Sequence, residues 1–282
     1  MPELFYAFLV PFAFAFQVVV EKLILNRISV YTSLFYEYLF AIALIFASTL
    51  ALSNLVFPTG FILLLIALAS VIGAASIIFY YKALQSSNQV SLIAAVSGSY
   101  ILFTVAFSIF FLGEPFLPNY YLAIPLILAS LALLSLKKER KIVLTDPSVA
   151  LALLGSVGWG AYYTISKPVS QAMTSYSATL FLEIGVLSGI IFYILATKKK
   201  LDLKTPEKTL PLLAFMAFLF AVGAIAVNIS IVLVGVSLTI LIAAVSPAIT
   251  TVSAFVFLKE RLTSWQYLGV MLMVASMVVL SF

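Results

Sequence analysis

Apolar runs of about 20 residues recur along the whole chain, and each is long enough to cross ~30 Å of hydrocarbon as one helix. Lipid offers the backbone no hydrogen bonds, so runs of this kind must satisfy their own peptide groups and are expected to be transmembrane helices. Ten such spans can be counted, at about 4–25, 31–53, 60–84, 90–112, 119–136, 148–170, 176–196, 210–233, 236–258 and 264–281. The composition agrees: 64% of residues are hydrophobic, 9% are charged and mean hydropathy is +1.23, far from soluble averages. Pro2 and Glu3 precede the first span in place of a basic segment, so a cleaved signal peptide is not expected. There is no Cys and no His, which excludes disulfides, thiol chemistry, the usual zinc and haem sites and histidine proton relays.

The chain also repeats itself. Shifted by 146 residues, the stretch 90–136 matches 236–282 without gaps at 14 of 47 positions. Val90-Ser91-Leu92 falls on Val236-Ser237-Leu238, Leu112 and Glu114 on Leu258 and Glu260, and Tyr121-Leu122 on Tyr267-Leu268. Upstream, Leu34-Phe35 and Glu37 fall on Leu180-Phe181 and Glu183. Apolar helices resemble one another by composition alone, but shared glutamates in so uncharged a chain do not follow from composition. The expected fold is an all-α polytopic membrane protein of two five-helix repeats, residues 1–139 and 140–282. Five is odd, so the second repeat enters the membrane inverted.

Charge placement gives the expected orientation. Loops 1–2, 3–4, 5–6, 7–8 and 9–10 share one face, which carries 14 of the 15 basic residues: Lys22, Arg27, Lys82, Lys137, Lys138, Arg140, Lys141, Lys198, Lys199, Lys200, Lys204, Lys208, Lys259 and Arg261. The other face carries Lys167 alone. The positive-inside bias places the basic face in the cytoplasm and both termini outside, in a multi-pass protein of the cytoplasmic membrane. The basic residues are thus topology signals, and no nucleic-acid partner is expected.

Ionisable groups within spans are costly and are default functional candidates. Here they are Glu21, Lys22, Glu37, Lys82, Lys167 and Glu183. Lys22 and Glu37 lie at similar depth on either side of the turn near Ile28–Ser29, and Lys167 and Glu183 do so around Thr174. A Lys–Glu pair in each half is expected, either as a structural ion bridge or as a ligand-binding pair. Glu21 is a partner of Lys22 or a cavity group, and Lys82 is expected to snorkel from a helix end. Asn228 is buried and needs a partner, either another helix or a solute.

The stretch Gly155-Ser156-Val157-Gly158-Trp159-Gly160 lets another backbone approach, and Trp159 and Tyr163 could stack on a solute. Ser246-Pro247 interrupts the ninth span, and Tyr100-Ile101, just after Gly98, is its counterpart in the fourth. Such breaks expose backbone to a cavity at depth. The expected solute site joins Gln17, Tyr100, Trp159, Tyr163, Asn228 and Ser246, set between the halves against the small-residue stretch. Gly185-x-x-x-Gly189 is expected to serve internal packing. No Walker loop is present, both Asp residues (Asp146 and Asp202) lie in loops, and no Ser–His pair can form, so nucleotide hydrolysis, aspartate-rich prenyl transfer and Ser–His proteolysis are excluded.

Ten spans in two repeats, each with a glutamate just after its fourth helix (Leu112-Gly113-Glu114 and Leu258-Lys259-Glu260), resemble the drug/metabolite transporter superfamily, EamA type. The Val-Ser-Leu leads, Ser246-Pro247, the stretch from Gly158 to Lys167 and Tyr267-Leu268-Gly269 are similar to that pattern. The first helix departs from it, with Phe14–Phe16 where Trp-Gly is usual, and the fourth lacks the proline of the ninth. The resemblance implies a cavity lined by the first, third, fourth, sixth, eighth and ninth spans, with Glu114 and Glu260 as turn or capping residues. It implies a secondary transporter, not an enzyme, that moves an amino acid or similar neutral or zwitterionic solute by alternating access. The alternatives are a lipophilic-cation exporter using Glu37 or Glu183, and a scaffold or enzyme acting on lipid-linked substrates. The expected partners are a small solute and the bilayer, with no cofactor and no metal, in a monomer.

Overall fold

The computed structural model describes residues 3–87, 90–136, 147–203 and 205–280; the loop stretch 137–146 and Lys204 lie outside them. In chain order the helices are α1 (Glu3–Leu25), α2 (Val30–Leu52), α3 (Gly60–Ser86), α4 (Val90–Ser97), α5 (Tyr100–Leu112) and α6 (Tyr120–Leu134). There follow α7 (Pro147–Ala172), α8 (Ser175–Ala196), α9 (Leu210–Val234), α10 (Val236–Ala243), α11 (Ser246–Phe257) and α12 (Ser264–Leu280). With α4–α5 and α10–α11 each counted as one run, eight spans among the described residues are long and apolar enough to cross a membrane, and α6 and α12 are shorter apolar helices. The chain is an all-helical polytopic membrane protein of two repeats.

Local sequence sets the starts of α2 and α8. Ser29 Oγ accepts from Thr32 N at 3.2 Å, and Thr174 Oγ1 accepts from Ser177 N at 3.1 Å. Each hydroxyl accepts from one of the N–H groups that a helix start leaves without a carbonyl partner. The two caps are 145 residues apart where the repeat is otherwise spaced at 146, so the turns of the two halves differ by one residue.

The fourth and ninth spans are both broken, and at equivalent places. The chain crosses each break through tight turns: Ser99 N donates to Val96 O, and Val245 N to Ile242 O. Pro247 at the second helical position of α11 has no N–H to continue a helix from α10. The first break has Gly98 instead, and the two breaks meet: a Cβ on Gly98 would come within 2.9 Å of Pro247 Cγ and 2.8 Å of Leu131. The missing proline of the fourth span is therefore the other side of one contact, a glycine in one half receiving the proline of the other.

The halves interdigitate. α1 packs chiefly on α9, α3 on α7 and α8, α2 on α8 and α9, and α5 on α7 and α10, while α6 and α12 pair at the periphery. α1 and α2, neighbours in sequence, scarcely touch. The small-residue stretch of α7 supplies the close approach. A Cβ at Gly160 would meet Phe103 Cβ at 2.5 Å and the α5 backbone at 3.0 Å, and Gly155 lies against the Ser76 carbonyl of α3. These glycines therefore face α3 and α5 and do not line the central cavity, against which the sequence reading set them; Trp159, between them, does. Gly185 and Gly189 pack on Ser70 and Ala74 of α3, so that motif serves internal packing.

Hydrogen bonds sort the loops into two faces. Thr32 and Tyr36 at the start of α2 bond the carbonyls of Asp202 and Leu203, and Lys22 reaches those of Leu84 and Ser87. On the other face Asn54 O accepts from Ser177 Oγ, and Val56 N donates to the same hydroxyl. Odd-numbered loops bond to odd and even to even, which is the grouping the charge count uses.

Candidate functional site

Around the crossing of the two breaks lies a cavity. The space open to the centres of water molecules is about 120 Å³, where one water needs roughly 10–15 Å³ by that measure. The room suits a small metabolite. All six residues singled out from sequence line it: Gln17 from α1, Tyr100 from α5, Trp159 and Tyr163 from α7, Asn228 from α9 and Ser246 from α11. Glu21, Tyr38, Tyr80, Ser97, Tyr162, Glu183 and Thr250 also contribute. Tyr38 places α2 in the wall, and Glu183 and Val186 place α8 there. The second and seventh spans, which the resemblance left peripheral, are thus part of the cavity, because interdigitation turns their polar faces inward. A scan for breaks and small residues passes over Ser97, Tyr80 and Thr250; the spacing of Ser97 from Gly98, one residue, and of Thr250 from Ser246, one turn, is the signal that finds those two, and nothing of the kind marks Tyr80.

Aromatic rings line the cavity in two groups, one around Trp159 and one around Phe220. Tyr80 and Trp159 have centroids 5.0 Å apart, Tyr100 and Tyr163 5.6 Å, and Tyr38 and Phe220 5.1 Å, within the range of favourable ring contact. Asn228 makes the helix–helix bond considered for it. Its Oδ1 accepts from Ser170 Oγ of α7 at 3.0 Å and its Nδ2 donates to Ala224 O at 3.0 Å, and an amide has one more hydrogen and one more lone pair to offer the cavity.

The expected charge pairs are not formed. Lys22 Nζ donates to Leu84 O at 2.8 Å and Ser87 O at 2.6 Å, while Glu37 accepts from Gln17 Nε2 at 2.6 Å and from the Tyr81 hydroxyl. Lys167 pairs with Glu114 of the first half at 2.6 Å, and Glu183 accepts from the Tyr162 hydroxyl at 2.9 Å. Equal depth on sequence neighbours implies contact only if those helices pack together. α1 and α2 do not, and α7 presents Tyr162 rather than Lys167 to Glu183. Lys82 sits at a helix end as expected, where its ammonium donates to Tyr193 Oη at 3.0 Å.

The repeated glutamates instead clasp the halves together. Glu114 accepts from Val236 N at 2.7 Å, Ser237 N at 2.8 Å and Ser237 Oγ at 2.6 Å, capping α10 of the other half. Glu260 accepts from Val90 N at 2.8 Å and Ser91 Oγ at 2.9 Å, capping α4. The Val-Ser-Leu leads and the glutamates repeat because each binds the other's counterpart. Both carboxylates follow a left-handed residue, Gly113 with φ 65° and Lys259 with φ 56°, and the next N–H in each bonds back into the helix, Glu114 N to Ser108 O and Glu260 N to Ala254 O. Burial pushes the Glu114 carboxyl up, but the bonds from Lys167, Ser237 and the backbone outweigh it and hold the group below its ordinary value. So Lys167 does meet a glutamate, but that glutamate is the clasp residue at the end of the fourth span, in the other half.

Two repeats, a broken helix in each and a polar, aromatic cavity where the breaks cross define the class: a helical membrane transporter fold. The profile of the EamA-like transporter family matches residues 1–136 and again 146–282, and the chain belongs to that family. An uncharacterised protein of Methanocaldococcus jannaschii is 25% identical over 136 residues, 48% of this chain and 97% of that one. A protein of Lactobacillus helveticus described as "Putative sugar uptake protein" is 28% identical over 144 residues, half of this chain and 49% of that protein. A crystal structure with 15% identity superposes with TM-score 0.74 over 97% of this chain and 95% of that one, a likeness of fold.

Proposed function

We propose that the protein is a secondary transporter that carries a small neutral or zwitterionic solute by alternating access, and that the solute sits in the cavity between the two breaks. One observation carries this reading: Gly98 and Pro247, the breaks of the two halves, meet at a cavity lined by uncharged polar and aromatic side chains. Broken helices offer polar backbone to a solute at depth without exposing it to lipid. A polyphosphate would need several Arg or Lys at that depth, and no basic residue lines the cavity among the described residues. The sugar uptake description of the Lactobacillus helveticus relative accords with a small polar cargo. The clasps lie at opposite faces, where each can hold one end of a broken helix while the other opens.

Uptake of a radiolabelled metabolite panel into proteoliposomes tests the transport activity. Trp159→Ala, Asn228→Ala and Ser246→Ala test the site. At least one is expected to weaken solute affinity more than twofold at unchanged protein level, a loss above ~0.5 kcal/mol. Affinity within twofold in all three moves the site elsewhere.

Orientation rests on the basic face lying in the cytoplasm. With no native Cys, single cysteines report cleanly. Ser53→Cys in intact cells is expected to react with an impermeant maleimide and Thr205→Cys to stay unlabelled until the cells are opened. The reverse pattern inverts the topology.

A further inference from the structure

A buried polar group left without a partner costs about 1–3 kcal/mol, so folded chains keep few of them. Among the described residues three such side chains belong to the wall of one cavity: Glu21, with both carboxyl oxygens unpartnered, Ser97 and Thr250. Their exposures are 0%, 5% and 1%. Ser97 lies beside the first break and Thr250 one turn past the second. The neighbouring carboxylates are satisfied, Glu183 by Tyr162 and Glu37 by Gln17 and Tyr81. Lys22, next in sequence to Glu21, is committed to the carbonyls of Leu84 and Ser87. Glu21 therefore lacks the donors that its protein surroundings give to the other two acids.

We infer that Glu21 is a cation subsite of this cavity, which takes the ammonium group of an amine-bearing solute while the hydroxyls of Ser97 and Thr250 bond the solute's polar end. Two further observations agree. Glu21 and Glu183 both line the cavity with no basic residue in the lining among the described residues, so either carboxyl, once ionised, favours a cation. Tyr80 and Trp159 supply ring faces in the same wall, and such faces attract ammonium groups. Glu21 lies one turn along α1 from Gln17, on the same face, and is covered in this conformation, so a solute engages it when the side chain swings out into the cavity. The inference rests on the transport reading and narrows it, since an uncharged sugar would leave the carboxylate without a charged partner.

The test compares 2-phenylethylamine with its neutral isostere 2-phenylethanol, titrated into purified protein while Trp159 fluorescence is read in a Trp265→Phe background. The amine is expected to bind about tenfold or more tightly than the alcohol. Glu21→Gln should abolish that preference with alcohol affinity within twofold, and Glu21→Asp should keep it. Equal affinities in the parent protein, or a preference that survives Glu21→Gln, overturn the subsite. If Glu21→Gln does not fold, the comparison in the parent protein decides. Failure of both compounds to bind also overturns the subsite, while the transport reading stands or falls separately on uptake from the metabolite panel.

Discussion

Glu114→Ala is expected to destabilise the protein by about 3 kcal/mol, the range found when one partner of a buried ion pair is removed. The substitution removes four contacts at once. Lys167, whose side chain is 19% exposed, loses its carboxylate. The N–H groups of Val236 and Ser237 lose the acceptor that caps α10, and Ser237 Oγ loses a partner though it keeps Ser108 Oγ at 2.7 Å. Glu114→Gln should cost less, because an amide oxygen still accepts from one backbone N–H. Glu260→Ala should also cost less: Glu260 is more exposed and serves chiefly as a cap, and caps contribute about 0.5–2 kcal/mol. Unfolding of the three purified variants in a graded denaturing detergent checks the order. Equal loss in Glu114→Ala and Glu260→Ala would mean that the Lys167 ion pair contributes little.

The second large effect is expected at Gly160. A methyl group there would sit 2.5 Å from Phe103 Cβ and 3.0 Å from the backbone of Phe103 and Thr104. Backbone cannot rotate aside as a side-chain tip can, so Gly160→Ala must push α7 from α5. Overpacking of this kind costs about 1–3 kcal/mol, and the upper end is expected because α5 is held by α10 as well. Gly113→Ala is the control: nothing lies within 4 Å of its Cβ position, and only the left-handed backbone is strained. Monodispersity and melting of the two variants by size exclusion separate the cases. A Gly160→Ala protein as stable as Gly113→Ala would show that the α5–α7 contact yields easily.

Much of this architecture is legible in the residues because membrane spanning simplifies the reading. Apolar length marks the spans, and the repeat at 146 marks the halves. Gly98 and Ser246-Pro247 mark the two breaks, since glycine and proline act through the backbone of their own helix. The partners of charged groups are not legible in the same way. Lys167 and Glu183 flank one turn, and sequence proximity suggests that they pair; the structure gives Lys167 to Glu114, 53 residues earlier in the other half. That pairing depends on which helices pack, and small residues on α7 and α8 decide it by admitting α3 and α5. The reciprocal clasps were visible as a repeat of Val-Ser-Leu and of glutamate, but not as one interaction, because an alignment of two halves shows equivalence and not contact. Glu21 stayed ambiguous for the same reason: its neighbour Lys22 looks like a partner until the lysine is found on the end of α3.

The central claim is that the cavity where the breaks cross is the path of the solute, and Ser246 is the residue to probe it. The chain has no native Cys, and Ser246 lines the cavity as the first residue of α11. In proteoliposomes carrying Ser246→Cys, reaction with a small membrane-permeant maleimide is expected to abolish solute flux, and the transported solute is expected to slow that reaction. Flux that continues at the unmodified rate in fully labelled protein would contradict the account.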